Sequence, residues 1–161
     1  MKIAAGIAAL ALCGTALAVD KKLKESEVPR PVIEKVTTKY PAAKMTGFEM
    51  ETENGKSSYE VTITDGSRQI EIICSADGKI VAEEEKISLD LVPEKVRQAL
   101  KASAKYGSWR LHHTERVVVA EKTDAPTYEI KVVHGSTLAE LVFTPDGKMS
   151  SSEEQQWHKK K

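Results

Sequence analysis

The sequence predicts an α+β protein made of two tandem repeats, each one helix followed by a four-stranded antiparallel meander. Three observations carry this expectation. First, landmarks recur in the same order 64 to 69 residues apart. Val28-Pro29-x-x-Val32 returns as Val92-Pro93-x-x-Val96, Tyr40 as Tyr106, Tyr59-Glu60-Val61 as Tyr128-Glu129-Ile130, and Asp77-Gly78-Lys79 as Asp146-Gly147-Lys148. Second, the apolar residues switch within each copy from a helical to an alternating period. Third, Gly-containing turns separate the alternating runs. The growing offset places extra residues of the second copy near 121–126, where Lys122-Thr123-Asp124-Ala125-Pro126 reads as a longer loop.

The elements follow in order. Pro29 and Pro93 stand where a first helical turn tolerates a missing N–H. Val32, Val36 and Tyr40 form one helical stripe; Val96, Leu100 and Ala104 form the other, with Ala99 beside it. Tyr40-Pro41 and Tyr106-Gly107 end the helices with breakers. In the first copy the strands are 45–51, 58–63, 69–74 and 79–85, turned at Asn54-Gly55, Asp65-Gly66 and Asp77-Gly78. Tyr59, Val61 and Ile63 share a face, and so do Ile70, Ile72 and Cys74. In the second copy a long strand spans 109–120. Tyr128, Ile130 and Val132, then Ala139, Leu141 and Phe143, repeat the apolar alternation, with a turn at His134-Gly135-Ser136 and a polar last strand after Asp146-Gly147. The other face carries Glu60, Thr62, Glu71, Glu129, Lys131 and Glu140, which fits a sheet with one side on the helices and the other toward water. Either one continuous sheet or two side by side satisfies this pattern. The domain limits are 1–18 for a signal peptide, 19–27 for a linker, 28–88 and 89–156 for the repeats, and 157–161 for a basic tail.

The N-terminus reads as a secretory signal. Met1-Lys2 precedes an apolar run from Ile3 to Leu12, and Ala16-Leu17-Ala18 supplies the small residues before a cleavage point. The run is too short for a membrane anchor, and no later segment is long and apolar enough to span. Leu12-Cys13 is a poor lipoprotein signal because the residue before the cysteine is large, so anchoring through Cys13 is disfavoured. Cleavage after Ala18 leaves Cys74 as the one mature cysteine and excludes a disulfide within one chain. The expected location is periplasmic or secreted, in a bacterium.

Composition narrows the function classes. Across 161 residues, 24 Lys+Arg balance 24 Asp+Glu. With no cationic excess to displace counterions, a nucleic-acid partner is not expected. Patterned apolar runs at zero net charge argue against disorder.

Val28-Pro29, Tyr59-Glu60-Val61 and Asp77-Gly78-Lys79, with Val92-Pro93, Tyr128-Glu129-Ile130 and Phe143-Thr144-Pro145-Asp146-Gly147-Lys148, together resemble the PepSY-like family, related to the β-lactamase inhibitory protein fold. The likeness spans about residues 28–156, and Cys74 departs from it by standing where an aromatic residue is usual. It implies an exported bacterial protein without catalytic activity that binds a protein partner in the cell envelope, a peptidase being one candidate. It does not transfer any binding residue.

The chemistry-bearing residues give no catalytic set. His112 and His113 are adjacent and would point to opposite faces of a strand unless it bulges. His134 sits at a turn and His158 in the tail, so no three ligands converge on a metal. Cys74 reads as a small buried hydrophobe. The Asp-Gly-Lys turns lack the spaced carboxylates of a calcium loop. G-x-S-x-G, H-E-x-x-H, C-x-x-C and phosphate-loop spacings are absent from the sequence, so no enzyme activity and no cofactor are expected. Glu83-Glu84-Glu85 and Lys159-Lys160-Lys161 read as solvated charge runs.

If the Tyr59 and Tyr128 faces pack on the helices, the opposite face holds Ile73, Val133, Leu138 and Val142 among Glu71 and Glu140. These six are the candidate binding residues, an apolar and charged mixture that suits protein recognition. The alternative reading is an envelope structural or small-ligand-binding protein that uses the same open face.

Overall fold

The computed structural model describes residues 19–53, 55–120 and 125–157. The expected signal peptide with Cys13, the turn residue Asn54, loop residues 121–124 and the tail with His158 lie outside these. The described chain forms nine strands, each antiparallel to the partner it pairs with, and two short helices. It divides into two compact units, one built on residues up to 85 with 119–120, the other on 86–118 and 125–157.

The first unit opens with strand β1 (Val19–Lys22) and a single 3₁₀ turn at Glu25–Glu27, then helix α1 (Arg30–Lys39). Strands β2 (Lys44–Glu53), β3 (Lys56–Asp65), β4 (Arg68–Ser75) and β5 (Ile80–Lys86) follow as a meander. β1 pairs with β2 through Val19↔Thr52 to Lys22↔Glu49. The second unit has a 3₁₀ turn at Leu89–Leu91, helix α2 (Glu94–Ala102), and strands β6 (Arg110–Val119), β7 (Thr127–His134), β8 (Thr137–Phe143) and β9 (Met149–Gln156), again paired in chain order.

This corrects the expected fold class. Nine antiparallel strands with two short helices are not two equivalent units of one helix and four strands. The extra strand is β1, in the segment read from sequence as a linker. Val-Asp-Lys-Lys carries no apolar alternation, and its extended form comes from pairing with the edge of β2 rather than from propensity. The helices are also shorter than their stripes suggest. α2 ends at Ala102 with Ser103 as its C-cap, so Ala104 lies outside the helix and is exposed instead of continuing the stripe.

Each unit has its own core. In the first, Val32 and Val36 of α1 meet Val61 and Ile63 of β3 and Ile70, Ile72 and Cys74 of β4, all essentially without solvent exposure. Each such aliphatic side chain contributes about 2 kcal/mol of burial. In the second, Val92 and Val96 meet Tyr128, Ile130, Val132, Ala139, Leu141 and Phe143. Cys74 occupies the small-hydrophobe place expected for it, and burial pushes its thiol up to about 11.

The repeated landmarks carry matching contacts. Tyr40 donates its hydroxyl hydrogen to Glu83 Oε2 at 3.1 Å, and Lys39 pairs with the same carboxylate. Tyr106 donates to Glu154 Oε1 at 2.9 Å, and Lys105 pairs with it at 2.6 Å. The first ties the end of α1 to β5, and the second ties the turn that follows α2 to β9. The Asp-Gly turns also correspond. Gly78 N–H donates to Ser75 O and Gly147 N–H to Thr144 O, both at 2.9 Å, with φ of 83° and 90°. These glycines lie against the first turn of a helix. A Cβ at Gly78 would stand 2.5 Å from Pro31 O, and one at Gly147 would stand 2.7 Å from Lys95 O. Glycine is therefore required twice over, by backbone conformation and by close approach.

Candidate functional site

Strand alternation puts every second residue of the second unit on the face away from α2. Pairing then assembles rows across that face. His113, Lys131, Glu140 and Glu153 form one row, from β6 to β9. Glu115, Glu129, Val142 and Ser151 form the next, and Arg110, Val133, Leu138 and Gln155 the one beyond. A register shift between Leu111 and His113 makes this possible, because the bulge at His112 brings His113 and Glu115 onto the same side as Lys131.

The centre is one ammonium among three carboxylates. Lys131 Nζ lies 2.8 Å from Glu129 Oε1 and 3.6 Å from both Glu115 Oε2 and Glu140 Oε2. His113 Nε2 lies 2.6 Å from Glu115 Oε1. The residues are deeply placed: Glu115 and Glu129 are each 4% exposed, Lys131 7% and Glu140 9%. Their titration reflects both burial and pairing. Burial works against the ionised Lys131, but Glu129 and Glu115 outweigh it and hold the ammonium well above its ordinary range. Burial likewise opposes ionised Glu115, yet contact with His113 and Lys131 holds its carboxyl below the usual range. Glu140 goes the other way. Burial first, and then the Glu129 charge, push it up to about 7. One cation cannot neutralise three buried carboxylates, and Glu140 holds the remaining proton near neutrality.

The six candidate residues divide between the units. Val133, Leu138, Glu140 and Val142 lie together on this second-unit face, with Leu138 opposite Val133 and Val142 opposite Glu129. Ile73 and Glu71 lie on β4 of the first unit, Ile73 opposite Glu60 and Ala82, Glu71 opposite Thr62 and Glu84. The expected open, water-facing side is corrected. Ile73, Val133, Leu138, Val142 and Glu140 are buried, and Glu71 is half-buried. Glu115, Glu129, Lys131 and Glu140 pair with one another across the strands, so alternation of charged residues did not mean exposure. Lys131, Glu115 and Glu129 were not among the six, although they form the charged centre. The spacing of His113 with Glu115 and of Glu129 with Lys131 was the available signal. Without the register, nothing showed that the two pairs face each other.

Two separate ring groups lie at one end of the same unit. The Trp109 ring stacks on His134, with centroids 5.4 Å apart. Tyr106 meets the Trp109 edge at 5.2 Å. His112, turned out by the bulge, meets the edge of Trp157 at 5.8 Å, and the Arg110 guanidinium lies 5.7 Å from the Trp157 ring centre. The backbone N–H of Trp157 donates to Ser136 O at 2.7 Å. Arg110, His112 and His134 are exposed, and both tryptophans are half-buried.

Comparison with known proteins gives the following. A family model described as "Putative beta-lactamase-inhibitor-like, PepSY-like" matches the chain twice, over residues 16–82 and 57–151. Among solved structures, one described as "putative periplasmic proteins" from Bacteroides eggerthii aligns with a TM-score of 0.67 at 20% identity, covering 79% of this chain and 88% of that one. A DUF2874 family protein from Bacteroides uniformis aligns at 0.67 and 18% identity, covering 79% and 89%. A BLIP-like protein from Bacteroides fragilis aligns at 0.63 and 16% identity, covering 83% and 91%. At these identities the likeness to the solved structures is one of fold. No curated protein matches the chain. Among the described residues no helix is long and apolar enough to cross a membrane.

Proposed function

The chain belongs to the PepSY-like, β-lactamase-inhibitor-like family, and from that premise we propose that it is an exported binding protein that captures another envelope protein without catalysing a reaction. The observation that carries this reading is the buried charge centre on the second unit's face. Lys131, Glu115, Glu129 and Glu140 stand apart from the apolar core, which lies on the opposite face with Val96, Ile130 and Leu141. A buried ion cluster is a poor source of stability compared with apolar packing of the same volume. Its value lies in fixing the position of charge, which sets partner choice and register in protein interfaces. Val133, Leu138 and Val142 are buried beside it, and the same rows reach solvent on β9 at Glu153 and Gln155, the positions a partner would touch. The description of the family as inhibitor-like supports restraint of a partner, a peptidase being the class considered. The Bacteroides eggerthii neighbour supports a periplasmic setting.

The test is affinity capture from periplasmic extract with the immobilised protein. Val133 and Val142 are too buried for charged replacement to report on binding alone. The informative variant is Glu153→Lys, an exposed position on β9 opposite Glu140. The expected result is one stoichiometric protein partner retained by the native chain and reduced at least about tenfold by E153K, the loss produced by a rim charge reversal of about 1.4 kcal/mol. Absence of any stoichiometric partner, or capture indifferent to E153K, would remove the face from consideration.

A further inference from the structure

The charge centre is unbalanced, and the imbalance lies beside the least firmly held strand of the second unit. Glu140 on β8 faces Glu129 and Lys131 of β7, with His113 and Glu115 of β6 beyond them, and it stands directly opposite Glu153 of β9. The helix α2 packs on the other face with the apolar core. The Lys131 ammonium and the His113 imidazole therefore serve the carboxyls of Glu115, Glu129, Glu140 and Glu153. With those carboxyls ionised, negative charge exceeds positive even when His113 is protonated. Glu115, Glu129 and Glu140 are buried, so water does little to screen the excess. Like charges directly opposite one another weaken strand pairing.

The two strands beside Glu140 are held very differently. β7 lies between β6 and β8, and its residues 128–133 are buried. β9 is the last strand, pairs only with β8 among the described residues, and is exposed over 152–156. Its anchors lie near its ends or on the far face. Met149 packs against the core, Ser150 Oγ donates to Val142 O, Glu154 pairs with Tyr106 and Lys105, and the Trp157 N–H donates to Ser136 O. Local opening concentrates in segments with few buried apolar contacts and exposed backbone. When Glu140 needs water, β9 is the neighbour that gives way.

We propose that β9 is a proton-latched strand. With a proton on Glu140, the Glu140–Glu153 pair carries a single charge and β9 stays on β8. Loss of that proton to solvent leaves two like charges facing across the ladder, and the middle of β9 lifts so that water reaches the Glu140 carboxylate. β9 carries the solvent-facing positions Glu153 and Gln155, so the latch also sets how firmly they are presented to a partner; that consequence alone rests on the binding reading above. Amide hydrogen exchange of the full chain, with no partner present, reads the latch directly. It is followed between pH 6 and pH 8, since burial and the Glu129 charge push Glu140 up to about 7, and corrected for the intrinsic base-catalysed rate. Protection of the β9 amides should fall about fivefold over this range, the upper effect of one opposed like-charge pair, while β7 keeps its protection. Glu140→Gln should keep β9 protected throughout. Glu153→Gln, at an exposed position, leaves the fold intact and should shrink the fall. No loss in β9, equal loss in β7 and β9, or an undiminished loss in either variant would overturn the latch, the second by assigning the titration to the stability of the whole unit. A failed partner capture leaves this exchange result unaffected, and a flat exchange profile leaves the binding face standing, so the two readings fail separately.

Discussion

Replacing Gly147 with alanine separates two costs that glycine avoids in this fold. Gly147 has φ of 90°, and a Cβ there would lie 2.7 Å from Lys95 O and 3.0 Å from the Lys95 carbonyl carbon. Gly135, in the β7–β8 turn, has φ of 58° and open space around the same position. Alanine at Gly135 therefore incurs only the left-handed backbone penalty, about 1 kcal/mol. Alanine at Gly147 incurs that penalty and must also push the first turn of α2 away from the β8–β9 turn, an overpacking cost of about 2 kcal/mol. The sum is about 3 kcal/mol. Urea unfolding followed by tryptophan fluorescence is the assay, since Trp109 and Trp157 both belong to the second unit. With a urea dependence of about 1–3 kcal/mol per molar, G147A should lower the midpoint by about 1–3 M and G135A by no more than a third of that. Equal shifts for the two variants would refute the close-approach argument and leave backbone conformation as the whole effect.

The charge centre yields two further expectations. Glu140 has a folded-state pKa raised to about 7 from an unfolded value near 4.5, so the unfolded chain releases this proton first as pH rises; its contribution is neutral below about pH 4.5 and becomes increasingly destabilising up to about pH 7. The loss is at most about 3 kcal/mol, reduced by solvent screening. Glu140→Gln should abolish this slope, and urea midpoints measured between pH 5 and 7.5 that run parallel for both proteins would contradict it. Lys131→Met leaves Glu115, Glu129 and Glu140 facing one another without their shared cation and should cost about 3 kcal/mol at pH 7.5. Acidification to pH 5 should recover part of that loss by protonating the carboxylates; thermal melts at the two pH values measure it, and an equal deficit at both would count against a charge-based origin.

Local pattern exposed the parts of this fold that depend on local chemistry. Ile70, Ile72 and Cys74 declared a strand by alternation, and Asp77-Gly78 declared its turn, because both signals act within a few residues. β1 was not legible, since Val19–Lys22 becomes a strand only through its pairing partner. The charged face of the second unit was legible as a list of side chains but not as an arrangement. Glu129 and Lys131 show by spacing that they share a face. That His113 and Glu115 meet them depends on a one-residue bulge at His112, and a bulge is a property of two paired strands. Burial of the charged row was hidden for the same reason: sequence gives the charge, and cross-strand neighbours decide whether water reaches it.

Inside β7 and β8, the charges of Glu129, Lys131 and Glu140 interrupt runs that would otherwise be almost wholly apolar, Tyr128 to Val133 and Leu138 to Phe143. Six-residue windows of β-branched and aromatic residues without charge are the segments most prone to assemble into amyloid. Interrupting charges act as gatekeepers against such assembly while a chain is still unfolded. The same three side chains that make this face expensive in the finished protein keep its two most aggregation-prone strands soluble before the fold closes around them.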